Sequence, residues 1–212
     1  MIHATFSDSM ISMLKSFIGW KFNSYEYCSI GNGTYGNLHI HINGEPYEIR
    51  NQQSTVILNN ESVDLSSLSI AKAVGKFEPL CGNKLSLNII DDTIKDIQII
   101  QDSVILANGD KILMDMAIVF KTKHADTMFS RDAWFSEFIT ISDTSDFDLV
   151  YPICRAKDSW RNDDEAEVII HRITKSLLNI WINNKINNKT TMPIDDIDIY
   201  RYSRFIYVII FS

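Results

Sequence analysis

Residues Ile112–Ser142 read ILMDMAIVFKTKHADTMFSRDAWFSEFITIS, and the fold class follows from them. Ile112, Met114, Met116, Ile118 and Phe120 alternate, which places them on one face of an extended strand. Leu113, Ala117 and Val119 make much of the other face apolar too. A strand apolar on both sides is covered above and below, the position of a central strand in its sheet. Lys121 to Asp126 is a polar break, and β-rich sequence resumes from Thr127 to Ser142, so a long hairpin is expected.

Upstream, Lys84 to Ile90, Ile94 to Gln101 and Ser103 to Ala107 read as strands, with Asn108-Gly109 as the tight turn into the central one. At the start of the chain, Ser7 or Asp8 caps a helix whose stripe is Met10, Ile11, Leu14, Phe17 and Ile18, and Gly19 ends it. Lys21 to Ile30 and Asn37 to Ile42 are strands, and Asn43-Gly44 is a two-residue hairpin signal leading to Glu45–Arg50 and Thr55–Leu58. The series Val74, Phe77, Leu80 and Cys81 repeats the spacing of Ile11, Leu14, Phe17 and Ile18. Both series run into Gly-x-Lys-apolar, at Gly19 and at Gly82. The pattern suggests two related helix-plus-meander units, 7–60 and 66–142, the second opening with a helix that Pro79 interrupts.

Downstream, an Asp/Ser/Thr loop follows Ser142, and a late helix is expected over 163–183. Its stripe is Ala166, Ile169, Ile170, Ile173, Leu177, Ile180 and Trp181. The β-branched run Val168-Ile169-Ile170 leaves a strand open there. Residues 150–212 form a C-terminal extension that ends in a short apolar strand from Phe205. The expectation is a single globular domain, 1–212, of the α+β class: mainly antiparallel sheet, with an N-terminal and a late helix.

The 212 residues are 45% hydrophobic, with eleven Phe, eight Tyr and four Trp, which supplies ample core and excludes a largely disordered chain. A formal charge of −7 argues against nucleic acid as partner, since phosphate binding needs clustered Lys and Arg. Cys28, Cys81 and Cys154 are isolated and odd in number, the pattern of a reduced, cytoplasmic protein. MIHATFSDSM lacks the basic and apolar regions of a secretory leader, and no apolar run is long enough to span a bilayer, so no membrane association is expected.

Three groups of residues invite a site. His39 and His41 share a strand face and could reach one metal, but no second ligand pair accompanies them, and they fall on the polar, solvated side of that strand. Arg131, Asp132, Trp134, Phe135 and Glu137 form the densest mixed cluster. Alternation fails at Ala133-Trp134-Phe135, so the cluster reads either as the rim of a binding groove or as a bend with Trp134 plugging the core. Asp195, Asp196 and Asp198 join Asp143, Asp146 and Asp148 in an acidic last third, where capping and the helix dipole account for carboxylates as readily as a partner does.

The glycine-rich turn Gly31–Gly36 matches neither the dinucleotide nor the P-loop pattern, and no cofactor is called for. No nucleophile elbow or Cys/His arrangement marks a catalyst. The leading reading is a non-catalytic protein-binding module that neutralises a basic partner, in the manner of a bacterial immunity protein or inhibitor. Against it stands a small-molecule-binding protein or enzyme whose site is assembled from distant residues.

Overall fold

The computed structural model describes residues 1–31, 33–58, 61–77, 85–160, 168–179, 199–202 and 205–208. Two compact units divide the chain, Met1–Leu178 and Asn179–Ser212. The first opens with a short strand, β1 (Ile2–Ala4), and a helix, α1 (Asp8–Ser16). Ser7 caps α1 by accepting the Met10 amide at 3.3 Å, and Leu14 and Phe17 carry its buried side. Gly19, at φ +89°, ends the helical stretch, as its sequence position predicts.

An antiparallel meander follows: β2 (Lys21–Gly31), β3 (Thr34–Ile42), β4 (Glu45–Leu58) and β5 (Glu61–Lys72). Asn43 and Gly44 turn from β3 to β4 with φ of 52° and 79°, both positive as a type I′ turn requires. The chain continues through β6 (Leu85–Thr93), β7 (Asp96–Ile105), β8 (Lys111–Lys121), β9 (Asp126–Arg131) and β10 (Ile139–Ser142). Two short helices, α2 (Phe147–Val150) and α3 (Ile153–Trp160), precede β11 (Ile169–Ser176). The described strands of this unit form one sheet in the order β11-β7-β8-β9-β10-β3-β2-β6, with β4 and β5 continuing from β3 and β1 lying parallel on β8. In the second unit, β12 (Ile199–Tyr202) and β13 (Phe205–Val208) pair as a hairpin. No described helix is long and apolar enough to cross a membrane.

β8 is central and buried on both faces from Met114 to Phe120. Its alternation is not continuous. Ile100 faces Ala117 while Gln101 faces Asp115, so Met116 is an extra residue, a bulge that reverses the phase. Ile112, Met114, Ala117 and Val119 therefore share one core with Leu58, Leu65, Met128, Trp134, Phe147 and Tyr151. Ile118 and Phe120 fall on the opposite face, where Phe22, Phe120 and Phe129 pack with ring centroids 5.1–6.4 Å apart. Each such fully buried aromatic or aliphatic side chain stabilises the fold by about 1.5–3 kcal/mol.

Three expectations are corrected. The second arm of the hairpin is not one strand: it breaks after Arg131 and resumes at Ile139. The second helix, expected on Val74, Phe77, Leu80 and Cys81, shows no helical turn from Ala73 to Phe77; β5 runs up to Lys72, and Leu80, Cys81, Gly82 and Lys84 lie outside the described residues. The strand β5 therefore runs across the start of the second expected unit. Within the expected late helix, Ile169–Ser176 is a strand over all eight residues, antiparallel to β7. Its β-branched residues suit a pleated ladder, and the edge of β7 offers one. Residues 177–179 are helical, 163–167 and 180–183 lie outside the described residues, and α3 is a further helix late in the chain.

The edge of β8 opposite β7 is shared. β1 pairs with Ile112–Met114 and β9 with Ala117–Lys121, which leaves a gap at Asp115 and Met116. Two buried ionic side chains fill it. Asp115 accepts the Phe6 amide and the Gln101 amide group, each at 2.7 Å, and Arg131 donates to the Ala4 carbonyl at 3.0 Å. Burial pushes the Asp115 carboxyl up, opposed by those hydrogen bonds and by the charges of Lys175 and Arg131. It lowers the Arg131 guanidinium to about 10, opposed by Asp115 and Asp102. Arg131 is therefore protonated at neutral pH and compensated by carboxylates.

Removing one of two compensating buried charges costs up to about 3–5 kcal/mol, moderated here because Lys175 still acts on Asp115 and Asp102 on Arg131. Arg131→Met and Asp115→Leu are each expected to lower the unfolding free energy by that order in denaturant titration. The double variant should lose at least about 1 kcal/mol less than the sum of the two. Strict additivity would show that the two charges do not compensate each other.

A pH effect arises at the end of β6. Asp92 accepts the backbone amides of Thr93 and His124, at 2.7 and 2.9 Å, and contacts the His124 Nδ1 at 3.0 Å. Desolvation raises its pKa, but the hydrogen bonds from Thr93, Thr122 and His124 outweigh it and bring the carboxyl to about 2. Its stabilisation is thus fully present above about pH 4, the usual Asp range, and is lost as pH falls through about 2. Asp92→Asn should lower the Tm at neutral pH and converge with the parent near pH 2; parallel curves over that range would remove Asp92 from the acid limb.

Candidate functional site

The loop between β9 and β10, residues 132–138, is built by neighbours distant in sequence. Asn51 in β4 donates to the carbonyls of Ser136 and Phe138 at 2.6 and 2.9 Å, and Gln53 donates to that of Phe135. The Ser66 amide and hydroxyl in β5 both donate to the Trp134 carbonyl at 3.0 Å. Trp134 is fully buried, its ring 4.7 Å from Trp160, which also packs on Phe135 at 4.9 Å. The loop is thus pinned by the β4–β5 hairpin on one side and by α3 on the other.

Beside it lies a groove of about 610 Å³, reached from the start of β3, from β10 and from the two short helices. One edge of β3 is divided between β10 at Thr34 and Tyr35 and β4 from Leu38 onward, and the groove opens by the β10 part of that division. Phe138, Ile141 and Val150 are its apolar lining; Thr34, Tyr35 and Thr140 supply hydroxyls; Asp132 and Arg155 supply opposite charges. The Arg155 guanidinium lies 5.2 Å from the Tyr151 ring centroid, a cation–π geometry that holds it on the helix side. Tyr35 continues into a file of rings, 4.9 Å to Tyr27 and a further 5.7 Å to Tyr25. Burial raises the phenol pKa of Tyr35, and neighbouring Tyr27 and Tyr25 add to that shift. Tyr35 is therefore a neutral hydrogen-bonding group at physiological pH.

The residues singled out in sequence divide sharply. Asp132 lines the groove, Glu137 is exposed beside Phe138, and Phe135 is half-buried against Trp160. Arg131 and Trp134 are interior and line nothing. Of the two readings of this cluster, the bend with Trp134 in the core describes those two residues. Asp195, Asp196 and Asp198 lie outside the described residues. Asp146 caps α2 and Asp148 binds Arg172 at 2.6 Å, so both serve the local structure, while Asp143 is exposed.

His39 is not solvated, as expected for its face, but buried under Phe77 at 4.8 Å. Burial lowers its pKa, against the raising effect of Glu48 and Glu26. Among the described residues no three His, Cys, Asp or Glu side chains gather as a metal site. Tyr35, Phe138, Val150 and Arg155 escaped the sequence reading because each belongs to a different element, and no local spacing joins them.

Comparison with protein-family models, with curated proteins and with solved structures finds no match.

Core and rim should separate on truncation. Trp134→Ala is expected to destabilise the fold by about 3–5 kcal/mol, whereas Phe138→Ala, at a position 40% exposed, should cost under about 1 kcal/mol. Equal losses in a denaturant series would place Phe138 in the core rather than on a binding surface.

Proposed function

We propose that this chain is a non-catalytic protein-binding module, immunity- or inhibitor-like, whose groove takes a basic segment of another protein. One observation carries the reading: an exposed aromatic, Phe138, and a carboxylate, Asp132, share a groove on a pinned loop. Apolar anchors ringed by charge are how protein interfaces concentrate their affinity, and a rigid loop loses little entropy on binding. The groove lining holds one carboxylate and neither His nor Cys, so general acid–base or nucleophilic work has no paired groups there.

A segment that sets an apolar side chain on Phe138, Ile141 and Val150 brings a neighbouring Lys or Arg to Asp132. Glu137 and Asp143 extend the negative field beyond the groove, and the net charge of −7 adds to it. Arg155, on the helix side, meets a carbonyl or a carboxylate of the same segment. Cys28, buried in β2, and Cys154, exposed in α3, stand in separate elements, which fits a reducing, cytoplasmic setting.

Selection of random displayed peptides against the full chain tests this reading. The enriched peptides should combine Lys or Arg with a large apolar residue, and their affinity should fall as salt rises. Asp132→Asn should weaken them about tenfold and remove part of the salt slope, and Phe138→Ala should weaken them at least about tenfold. Peptides with no basic bias, or binding indifferent to both substitutions, would overturn it.

A further inference from the structure

β6 ends one side of the sheet: among the described residues it pairs with β2 alone. Its sequence from Leu85 is Leu-Ser-Leu-Asn-Ile-Ile, after which Asp91 takes a φ of +50°. Phe22 faces Asp92 while Ser24 faces Ile89, so the strand carries an extra residue at this point, a bulge that ends its regular part. Leu85, Leu87 and Ile89 alternate and so share one face, with exposures of 41%, 56% and 63%. An edge strand whose first six residues are uncharged and bear an exposed aliphatic row is a template for another strand.

We propose that β6 is the seam of a two-fold homodimer, in which β6 of a second copy pairs antiparallel with it about Leu87. The row is self-complementary in that register. Leu87 faces Leu87 of the second copy, Leu85 faces Ile89, and on the other face Ser86 meets Asn88. Directly opposed side chains of an antiparallel pair share a face, so apolar meets apolar and polar meets polar. A shift of two residues one way sets Leu85 against Asp91, in the bulge; a shift the other way runs Ile89 past the first residue of β6. The centred register alone matches every aliphatic of the row. A two-fold contact of this kind is isologous and closes at two copies.

Charge decides between a second copy and a basic partner at this edge. No ionisable side chain lies between Leu85 and Ile90, so two copies bring no like charges face to face there despite the net −7. For the same reason a Lys- or Arg-bearing strand gains no ion pair along this stretch. The edge is therefore distinct from the groove at Asp132, and its test needs no partner for the groove.

Sedimentation velocity and light scattering on the full chain over a concentration series are expected to show a monomer–dimer equilibrium. Leu87→Lys places two ammonium groups together on the two-fold axis and should weaken the dimer on the order of a hundredfold, with circular dichroism and Tm kept near the parent's. Val74→Lys makes the same chemical change at a position 97% exposed and should leave the dimer intact. Register is read by oxidation in a background with Cys28, Cys81 and Cys154 each replaced by Ser, since Cys28 lies opposite Leu85 on β2. Leu87→Cys should give a covalent dimer linked through position 87, since opposed Cα atoms about 4.5–5.5 Å apart admit a disulfide. Leu85→Cys, which faces Ile89, should give none through position 85. A chain monomeric at every concentration, a dimer untouched by Leu87→Lys, or equal cross-linking at 85 and 87 would each overturn the proposal, as would a monomer that instead binds an aliphatic strand peptide.

Discussion

The sheet depends on how β8 fills one edge with two neighbours. β1 arrives parallel and β9 antiparallel, and neither extends far enough to cover Asp115 and Met116. A buried gap in a ladder exposes backbone groups with nothing to bond, and each such group costs about 1–3 kcal/mol. Here the amide of Phe6 and the carbonyl of Ala4 are the groups at risk, and Asp115 and Arg131 take them. The two side chains bring their own desolvation penalty, several kcal/mol per ion, so they are a specificity device before they are a source of stability. The bulge at Met116 belongs to the same arrangement, since it lets Asp115 turn toward Phe6 and Gln101 while Met114 and Ala117 stay in the core.

That junction also fixes the groove. Arg131 is drawn inward as the last residue of β9, and Asp132 follows it at the point where the strand breaks. Trp134 then turns back into the core against Trp160, which ties α3, and with it Arg155 of the groove lining, to the loop. Asn51, Gln53 and Ser66 hold the remaining carbonyls, and Phe138 is left outward. A loop with this many constraints is preorganised, and its rigidity comes from residues outside the groove.

What the sequence discloses is what local chemistry decides. Asn43-Gly44, the Ser7 cap, Gly19 and the doubly apolar β8 are readable because turn, cap and burial preferences act over a few residues. β11 and β5 are not, because each is chosen by an available partner. Ile169, Ile170, Ile173 and Leu177 fit a helical stripe, yet β7 has a free edge and β-branched residues fill it. Glu45–Arg50 and Thr55–Leu58 read as separate segments, but Asn51 to Ser54, largely exposed, are carried through the strand by the ladder to β5. The site was legible in part: Asp132 and Glu137 reach the surface, whereas Arg131 and Trp134, equally prominent in the same seven residues, are interior. Nothing within that stretch records that β8's gap needs a guanidinium or that Trp160 is waiting for an indole.

Two edge strands of the sheet, β11 and β6, are handled differently, and the difference is informative. β11 also exposes aliphatics, Ile169 and Ile173, but they alternate with His171 and precede Lys175. Arg172 on the same strand is engaged by Asp102 and Asp148 and packs over Phe147 at 4.4 Å. Charged side chains along an edge and a strand tied down from above both discourage an incoming strand. β6 has neither from Leu85 to Ile90, and its one guard, the bulge at Asp91, stands at the end of the row rather than within it. A chain that protects one edge with histidine, arginine and lysine has the means to protect the other. Leaving six residues bare, apolar on one face and matched to their own reversal, is what pairing at that edge requires, and the acidic excess elsewhere keeps the remaining surface from joining it.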